Sequence, residues 1–239
     1  ISIDSRTVNE GELFIAIRGD RYDGHDFVPD ALHKGAWGAL VEQSALESKY
    51  ATMSGLRHVI PVEDTLSSLQ ELSLIHRKKF VLPVIGITGS NGKTTTKEML
   101  ASIMRQKGPV LKNEGNLNNH IGVPLTLMKM DGHHKAAIIE MGMSGLGEIR
   151  TLARLAMPAV GVITNISAAH LQFLGSTDTV AEAKGELLQT MRSDGTAVLN
   201  ADDRYFPILR SKYSGRILSF GIEQPADIRA EDIGPVREL

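Results

Sequence analysis

The 239 residues carry 42% hydrophobic and 23% charged side chains, the composition of a globular chain rather than a disordered one. With 26 Lys and Arg against 28 Asp and Glu the net charge is -2, so no general basic field draws the chain to nucleic acid or acidic membrane. Cysteine is absent, which excludes disulfide and Cys-zinc architectures and fits a cytoplasmic location.

No apolar run is long enough to span a bilayer, and the opening ISIDSRTV is not a signal peptide. The missing initiating Met predicts a chain trimmed at its N-terminus. Residues 1–82 read as a small mixed α/β unit, with strands at LFIAIRG (13–19) and WGALVE (37–42) around a short helix at 26–36. A second helix is expected from Asp64 to about Lys78, and the charged stretch HRKKFVLP ending at Pro83 predicts a domain boundary.

From residue 83 to 239 the pattern becomes regular. Apolar strands are predicted at PVIGITG, AAIIEMG (136–142), AVGVITNI (159–166), TAVLNAD (196–202) and RILSFG (216–221). Helices fall between them at Lys93–Gln106, Gly147–Ala156 and Thr177–Met191. Continuous apolar strands alternating with helices predict a mostly parallel, doubly wound sheet buried on both faces. The stretch after Gly221 reads as a strand-like tail cut short.

GSNGKTT (89–95) lies between an apolar strand and a helix, the context of a phosphate loop. Glycines let backbone amides approach phosphate oxygens, the helix N-terminus adds positive potential, and Lys93 reaches the terminal phosphates. Thr94 stands where a hydroxyl ligates Mg²⁺. Gly89, Ser90, Asn91, Gly92, Lys93, Thr94 and Thr95 are therefore the candidate ATP contacts. The general pattern G-x-x-x-x-G-K-[ST] asks for glycine at position 87, and this chain has Ile87, flanked by Gly86 and Gly89.

AAIIE ends in Glu140 at the carboxyl edge of a buried strand, where open α/β sheets bind ligands and a carboxylate ligates Mg²⁺. His170 follows the strand AVGVITNI and, taken alone, reads as structural. Lys184 lies on the apolar stripe Val180, Ala183, Leu187, Leu188 and Met191 of the helix that starts at Thr177. Two readings stand for it: a snorkelling cation, or a buried amine of lowered pKa. The pair His133–His134 sits by an Asp-Gly turn and reads as a solvated loop.

The runs GITGSNGKTTTKEML, EGNLNNHIGVPLTL (114–127), EMGMSGLGEI (140–149), ITNISAAHLQFLGS (163–176), AKGELL (183–188) and LNADD (199–203) together resemble the Mur ligases. DSRTVNEGELFIAIRGDRYDGHDF (4–27) resembles the UDP-sugar-binding domain of the same family. EGNLNNHIGVPLTL and EMGMSGLGEI favour the member that joins D-Ala-D-Ala to UDP-MurNAc-tripeptide, in peptidoglycan precursor synthesis. The resemblance implies an ATP-dependent, monomeric, cytoplasmic peptide ligase working through an acyl phosphate. It implies Lys93, Glu140, His170 and Lys184 as catalytic residues, with two Mg²⁺ ions held by Thr94, Glu140, His170 and a carbamylated Lys184. It also implies UDP-sugar or cleft contacts from Ser5, Arg6, Asp23, Gly24, His25, Asn118, Asn119 and Asn165, with a surface ion pair as the rival reading for Arg6. The family's third domain and its adenine-holding HN helix are not among these residues, so a truncated chain is expected. A sibling Mur or folylpolyglutamate-type ligase, or a non-catalytic ATP- and UDP-sugar-binding module, are the alternatives.

Overall fold

A computed structural model describes residues 1–50, 58–168, 174–232 and 234. Contacts divide the chain into two compact units, Ile1–Ile75 and His76–Leu239. Pro83, where the sequence predicts the boundary, lies a short way into the second.

The first unit runs through β1 (Leu13–Ile15), α1 (Val28–His33), β2 (Gly38–Glu42), α2 (Gln43–Lys49), β3 (Val59–Val62) and most of α3 (Thr65–Arg77). Its strands form a parallel sheet in the order β1-β2-β3. Phe14, Val28, Ala31, Ala39 and Val41 are packed together as its core. The strand predicted over 13–19 shortens to Leu13–Ile15, and the helix predicted over 26–36 becomes a 3₁₀ turn, Gly24–Phe27, leading into α1. Pro29 at the start of α1 suits a first helical turn, where an amide is unpaired in any case.

The second unit alternates strand and helix: β4 (Val84–Thr88), α4 (Lys93–Met104), β5 (Val110–Lys112), α5 (Gly122–Leu127), β6 (Ala136–Glu140), α6 (Glu148–Ala156), β7 (Val160–Ile163), α7 (Thr177–Thr190), β8 (Thr196–Asn200), α8 (Phe206–Ser211), β9 (Arg216–Gly221) and β10 (Ile228–Arg229). All are parallel, in the order β10-β9-β8-β7-β4-β6-β5. VIGIT and AAIIE are buried at every position, as an apolar run covered on both faces must be.

Successive residues of β4 point to opposite faces, and their neighbours identify what covers each. Ile85 and Ile87 pack with Ala101 of α4, Ile138 and Val162. A side chain at Gly86 would instead meet Leu187 of α7 at 3.3 Å and Met141 at 3.1 Å. Helices α4 and α7 thus cover the two faces, and the doubly wound arrangement expected from the sequence is present.

Strand order puts β4 between β6 and β7, with Ile87 level with Glu140 and Thr88 level with Ile163. The connections leaving β4, β6 and β7 therefore meet at one carboxyl edge, the place where such sheets hold ligands. Among the described residues, the tail after Gly221 adds the two-residue strand β10.

Candidate functional site at the carboxyl edge of the sheet

The loop between β4 and α4 is shaped by two glycines. Gly92, the residue before α4, has φ +79°, and Gly89 has φ +145°. A Cβ at Gly89 would lie 1.9 Å from Thr164 Oγ1, so no other residue fits between this loop and the end of β7. This explains why position 87 need not be glycine: Ile87 is a fully buried strand residue, and the close approach occurs two positions later.

The residues after β7 strap the loop in place. Asn165 accepts from Ser90 N through its carbonyl (2.8 Å) and from Asn91 N through Oδ1 (3.1 Å). Ser167 N donates to Ser90 Oγ at 2.9 Å, and Thr164 Oγ1 donates to Asn91 O at 2.6 Å. Asn165, expected in the substrate cleft, is thus engaged with the loop itself.

Lys93 folds back over the loop, donating to Gly89 O (2.8 Å) and Ser90 O (3.3 Å). Partial burial lowers its pKa, and the Glu140 carboxylate opposes that shift. Thr94 Oγ1 donates to Glu140 Oε2 at 2.9 Å.

Glu140 is 2% exposed and held from several sides. Asn118 Nδ2 donates to its Oε1 at 2.8 Å, and Lys97 Nζ stands 3.7 Å from its Oε2. Fully buried Asn113 accepts from Glu140 N (2.7 Å), while Lys97 Nζ donates to Asn113 O (2.9 Å). A Cβ at Gly142 would come within 2.8 Å of Asn118 Oδ1, so glycine there leaves room for that asparagine. Asn119, by contrast, accepts from Ile121 N and Gly122 N in the turn that leads into α5.

Sequence reading did not single out Lys97, Asn113 or Thr164. Only Lys97 had a local signal: it shares a face of α4 with Ala101, four residues on, and both are buried.

Lys184 is 1% exposed, so it does not snorkel. Among the described residues its amine has no hydrogen-bond or ion-pair partner. Burial, with a smaller contribution from the nearby Lys93 charge, lowers its pKa from 10.5 to about 7. Two residues on, buried Glu186 accepts from Gly147 N (2.7 Å) and Arg150 N (3.0 Å). That carboxylate satisfies open amides at the N-terminus of α6, tying α7 to it. His170, the remaining catalytic candidate, lies outside the described residues.

In the first unit Ser5, Arg6, Asp23 and His25 are engaged with neighbouring residues. Ser5 is buried and its carbonyl accepts from Lys34 Nζ at 2.9 Å. Exposed Arg6 forks onto Asp4 at 2.9 and 2.7 Å, the surface ion pair weighed as the rival reading, and holds the Asp4 carboxyl down at about 2. Glu42 N–H donates to His25 Nε2 at 2.9 Å, so Nε2 carries no proton. Nδ1 therefore carries it and donates to Asp23 Oδ1 at 2.6 Å, leaving no ring nitrogen for a ligand. Gly24 is required because a Cβ would meet Ile17 O at 2.5 Å.

The donor set suits a hard cation. A threonine hydroxyl and a carboxylate meet where the loop enters α4, an oxygen pair suited to Mg²⁺ bound with a nucleotide. Among the described residues no three His, Asp or Glu gather into a protein-only metal centre. Exposed His133 and its neighbour His134 contact Asp131, as a solvated turn would.

A family profile described as the Mur ligase middle domain matches residues 87–238, and one described as the Mur ligase family catalytic domain matches residues 1–77. The chain belongs to the Mur ligase family. A UDP-N-acetylmuramoyl-tripeptide–D-alanyl-D-alanine ligase of Synechocystis sp. is 42% identical over 93% of this chain and 48% of its own. The crystal structure of MurF from Acinetobacter baumannii aligns with TM-score 0.90 at 35% identity, over 98% of this chain and 50% of that one. MurF from Thermotoga maritima, solved in complex with ADP, aligns with TM-score 0.82 at 33% identity, over 93% of this chain and 50% of that one. The chain spans about half the length of the Mur ligase relatives it matches. Among the described residues no helix is long and apolar enough to cross a membrane.

Proposed function

We propose that this chain is the substrate- and ATP-binding part of a cytoplasmic, monomeric ligase that joins D-Ala-D-Ala to UDP-MurNAc-tripeptide in peptidoglycan precursor synthesis. The observation that carries the reading is the phosphate loop, where Lys93 covers the loop and Thr94 Oγ1 stands 2.9 Å from Glu140 Oε2. The names of the relatives supply the substrate pair. A folylpolyglutamate-type alternative has less support: the E. coli FolC complex aligns at 19% identity and TM-score 0.51.

In this reading the tripeptide carboxylate attacks the γ-phosphorus of ATP, the bond to ADP breaks, and an acyl phosphate forms. The D-Ala-D-Ala amine then attacks the acyl carbon, loses a proton, and phosphate departs. The chain's residues make the first encounter between anions feasible. The first-turn amides of α4 and the Lys93 ammonium would take up phosphate charge, and Thr94 with Glu140 would hold Mg²⁺. Mg²⁺, when bound, neutralises phosphate oxygens and fixes their direction. Asn118 and Lys97 keep the Glu140 carboxylate aimed at the loop. Lys184, favoured as a neutral amine by its burial, is the form that adds CO₂; losing a proton then gives a carbamate anion for a second Mg²⁺.

The test is calorimetric titration of the folded chain with Mg-ADP, followed by phosphate release from Mg-ATP with UDP-MurNAc-tripeptide, with and without D-Ala-D-Ala. Binding that Lys93→Ala abolishes, and release that needs both substrates, are expected. No Mg-ADP binding overturns the nucleotide site. Binding without release assigns this chain to the binding-module alternative.

A further inference from the structure

LNADD at the end of β8 has no part in the mechanism above, yet its second aspartate reaches across the sheet edge. Asp203 Oδ2 accepts from Ile166 N at 2.5 Å, and its Oδ1 accepts from Tyr205 N at 2.9 Å. Ile166 is the middle of the strap whose other members, Thr164, Asn165 and Ser167, hold Ser90 and Asn91. The preceding Asn200 adds a second tie, donating from Nδ2 to Thr164 O at 3.3 Å.

The same turn grips the start of α7. Tyr205 is 4% exposed, and its Oη lies 2.5 Å from Asp178 Oδ1 and 2.8 Å from Thr177 Oγ1. The Arg204 guanidinium lies 4.7 Å from the centre of the Tyr205 ring and donates to Thr177 Oγ1 at 2.6 Å. Three consecutive residues therefore fix the strap behind the phosphate loop and the first turn of the helix that carries Lys184.

We propose that Asp203 is a positioning residue of the nucleotide site: by holding the Ile166 amide it sets the strap, and through the strap the place of Ser90 and Asn91, which lead into the first-turn amides of α4 that would meet phosphate. The proposal rests on the nucleotide-binding reading above. Loop amides bind phosphate well only when pre-aimed, and a supporting group one layer back acts on affinity through that aim. Neighbouring Asp202 supplies the comparison. Its carboxylate also accepts backbone amides, those of Ile222, Glu223 and Gln224, but these lie after β9 and do not touch the strap.

The experiment compares Asp203→Asn with Asp202→Asn. An asparagine at 203 has one accepting oxygen in place of two, so either Ile166 or Tyr205 loses its acceptor. Mg-ADP affinity is measured by calorimetry and folding by thermal melting. The expected result is an affinity loss of about tenfold in Asp203→Asn. Asp202→Asn is expected to lose stability but to stay within about twofold of the parent affinity. Equal affinity in both variants, or equal loss in both, overturns the proposal. Hydrogen exchange of the unmutated chain gives a second reading that does not depend on a variant's folding. Residues 164–167 and 201–205 are expected to gain protection when Mg-ADP binds, and protection confined to 89–95 overturns the proposal. Failure of the unmutated chain to bind Mg-ADP removes the nucleotide reading itself, and this inference with it.

Discussion

Replacing Lys184 with methionine isolates the cost of burying an amine in this fold. The folded value of about 7 lies below the unfolded value of 10.5, so between those limits the unfolded chain binds the extra proton and the folded chain does not. Stability of the parent therefore rises with pH across that window, and the penalty is complete below about pH 7 and gone above 10.5. The gap of about 3.5, at roughly 1.4 kcal/mol for each tenfold change in protonation, sets a ceiling of about 5 kcal/mol. Methionine fills a similar volume without an ionisable group. Lys184→Met is thus expected to be more stable than the parent at pH 6, with the gain shrinking by about 3 kcal/mol by pH 9. Urea unfolding followed by circular dichroism, in carbonate-free buffer so that the free amine is read, measures the difference at each pH. A stability difference that stays constant from pH 6 to pH 9 would show that the Lys184 amine is not desolvated, and the argument for a reactive neutral lysine would fall with it.

Two further substitutions test the backbone. Gly89→Ala places a methyl group against Thr164 at a φ of +145°, and a loss of more than about 2 kcal/mol, with weakened Mg-ADP binding, is expected in denaturation and calorimetry. An alanine tolerated there would refute the close approach that makes glycine obligatory. Met157, which ends α6 with φ +50° and donates from its amide to Ala153 O at 2.8 Å, is a non-glycine residue in a left-handed cap. Met157→Gly is expected to gain roughly 1 kcal/mol in the same unfolding assay, because glycine adopts that conformation without the Cβ penalty. A destabilised variant would mean that the half-exposed methionine side chain contributes more than its strain costs.

What could be read from the sequence divides along a physical line. β4 and β6 were legible because strands covered on both faces are continuous apolar runs. β3, with Pro61 inside it and both central residues exposed, offered no such run. β5 is three residues long. α5 begins Gly-Val-Pro and α8 Phe-Pro, so their openings carry turn signals rather than helical periodicity. Helices α4, α6 and α7 were legible to within a residue or two because their stripes are long enough to count. The phosphate loop was legible for a different reason: its chemistry is local, amides and a lysine within seven residues. Thr164, Asn113 and Asp203 act across the sheet edge on residues 73, 27 and 37 positions away, and no local pattern encodes such a partner.

The electrostatics of this edge would let a chain of net charge -2 hold a polyphosphate, as the proposed function requires. Three lysines converge there. Lys97 stands 3.7 Å from Glu140, Lys93 is close enough to feel the same carboxylate, and Lys184 is close enough to feel Lys93. Glu98, 3.4 Å from Lys97, is largely exposed and shared with Lys112 at 2.7 Å, so it contributes little to the buried balance. Lys97 and Lys93 share the Glu140 carboxylate, while Lys184 has Lys93 as its charged neighbour, and burial lowers its pKa to about 7. On the proposed reading an arriving phosphate group opposes that shift, lowering the cost of charge on Lys93 and on Lys184 beside it. Conversion of Lys184 to a carbamate would go further, placing a second anion where a divalent cation then becomes favourable. On the proposed reading the site is a cationic edge that an arriving anion balances, with Lys184 the amine whose charge burial disfavours.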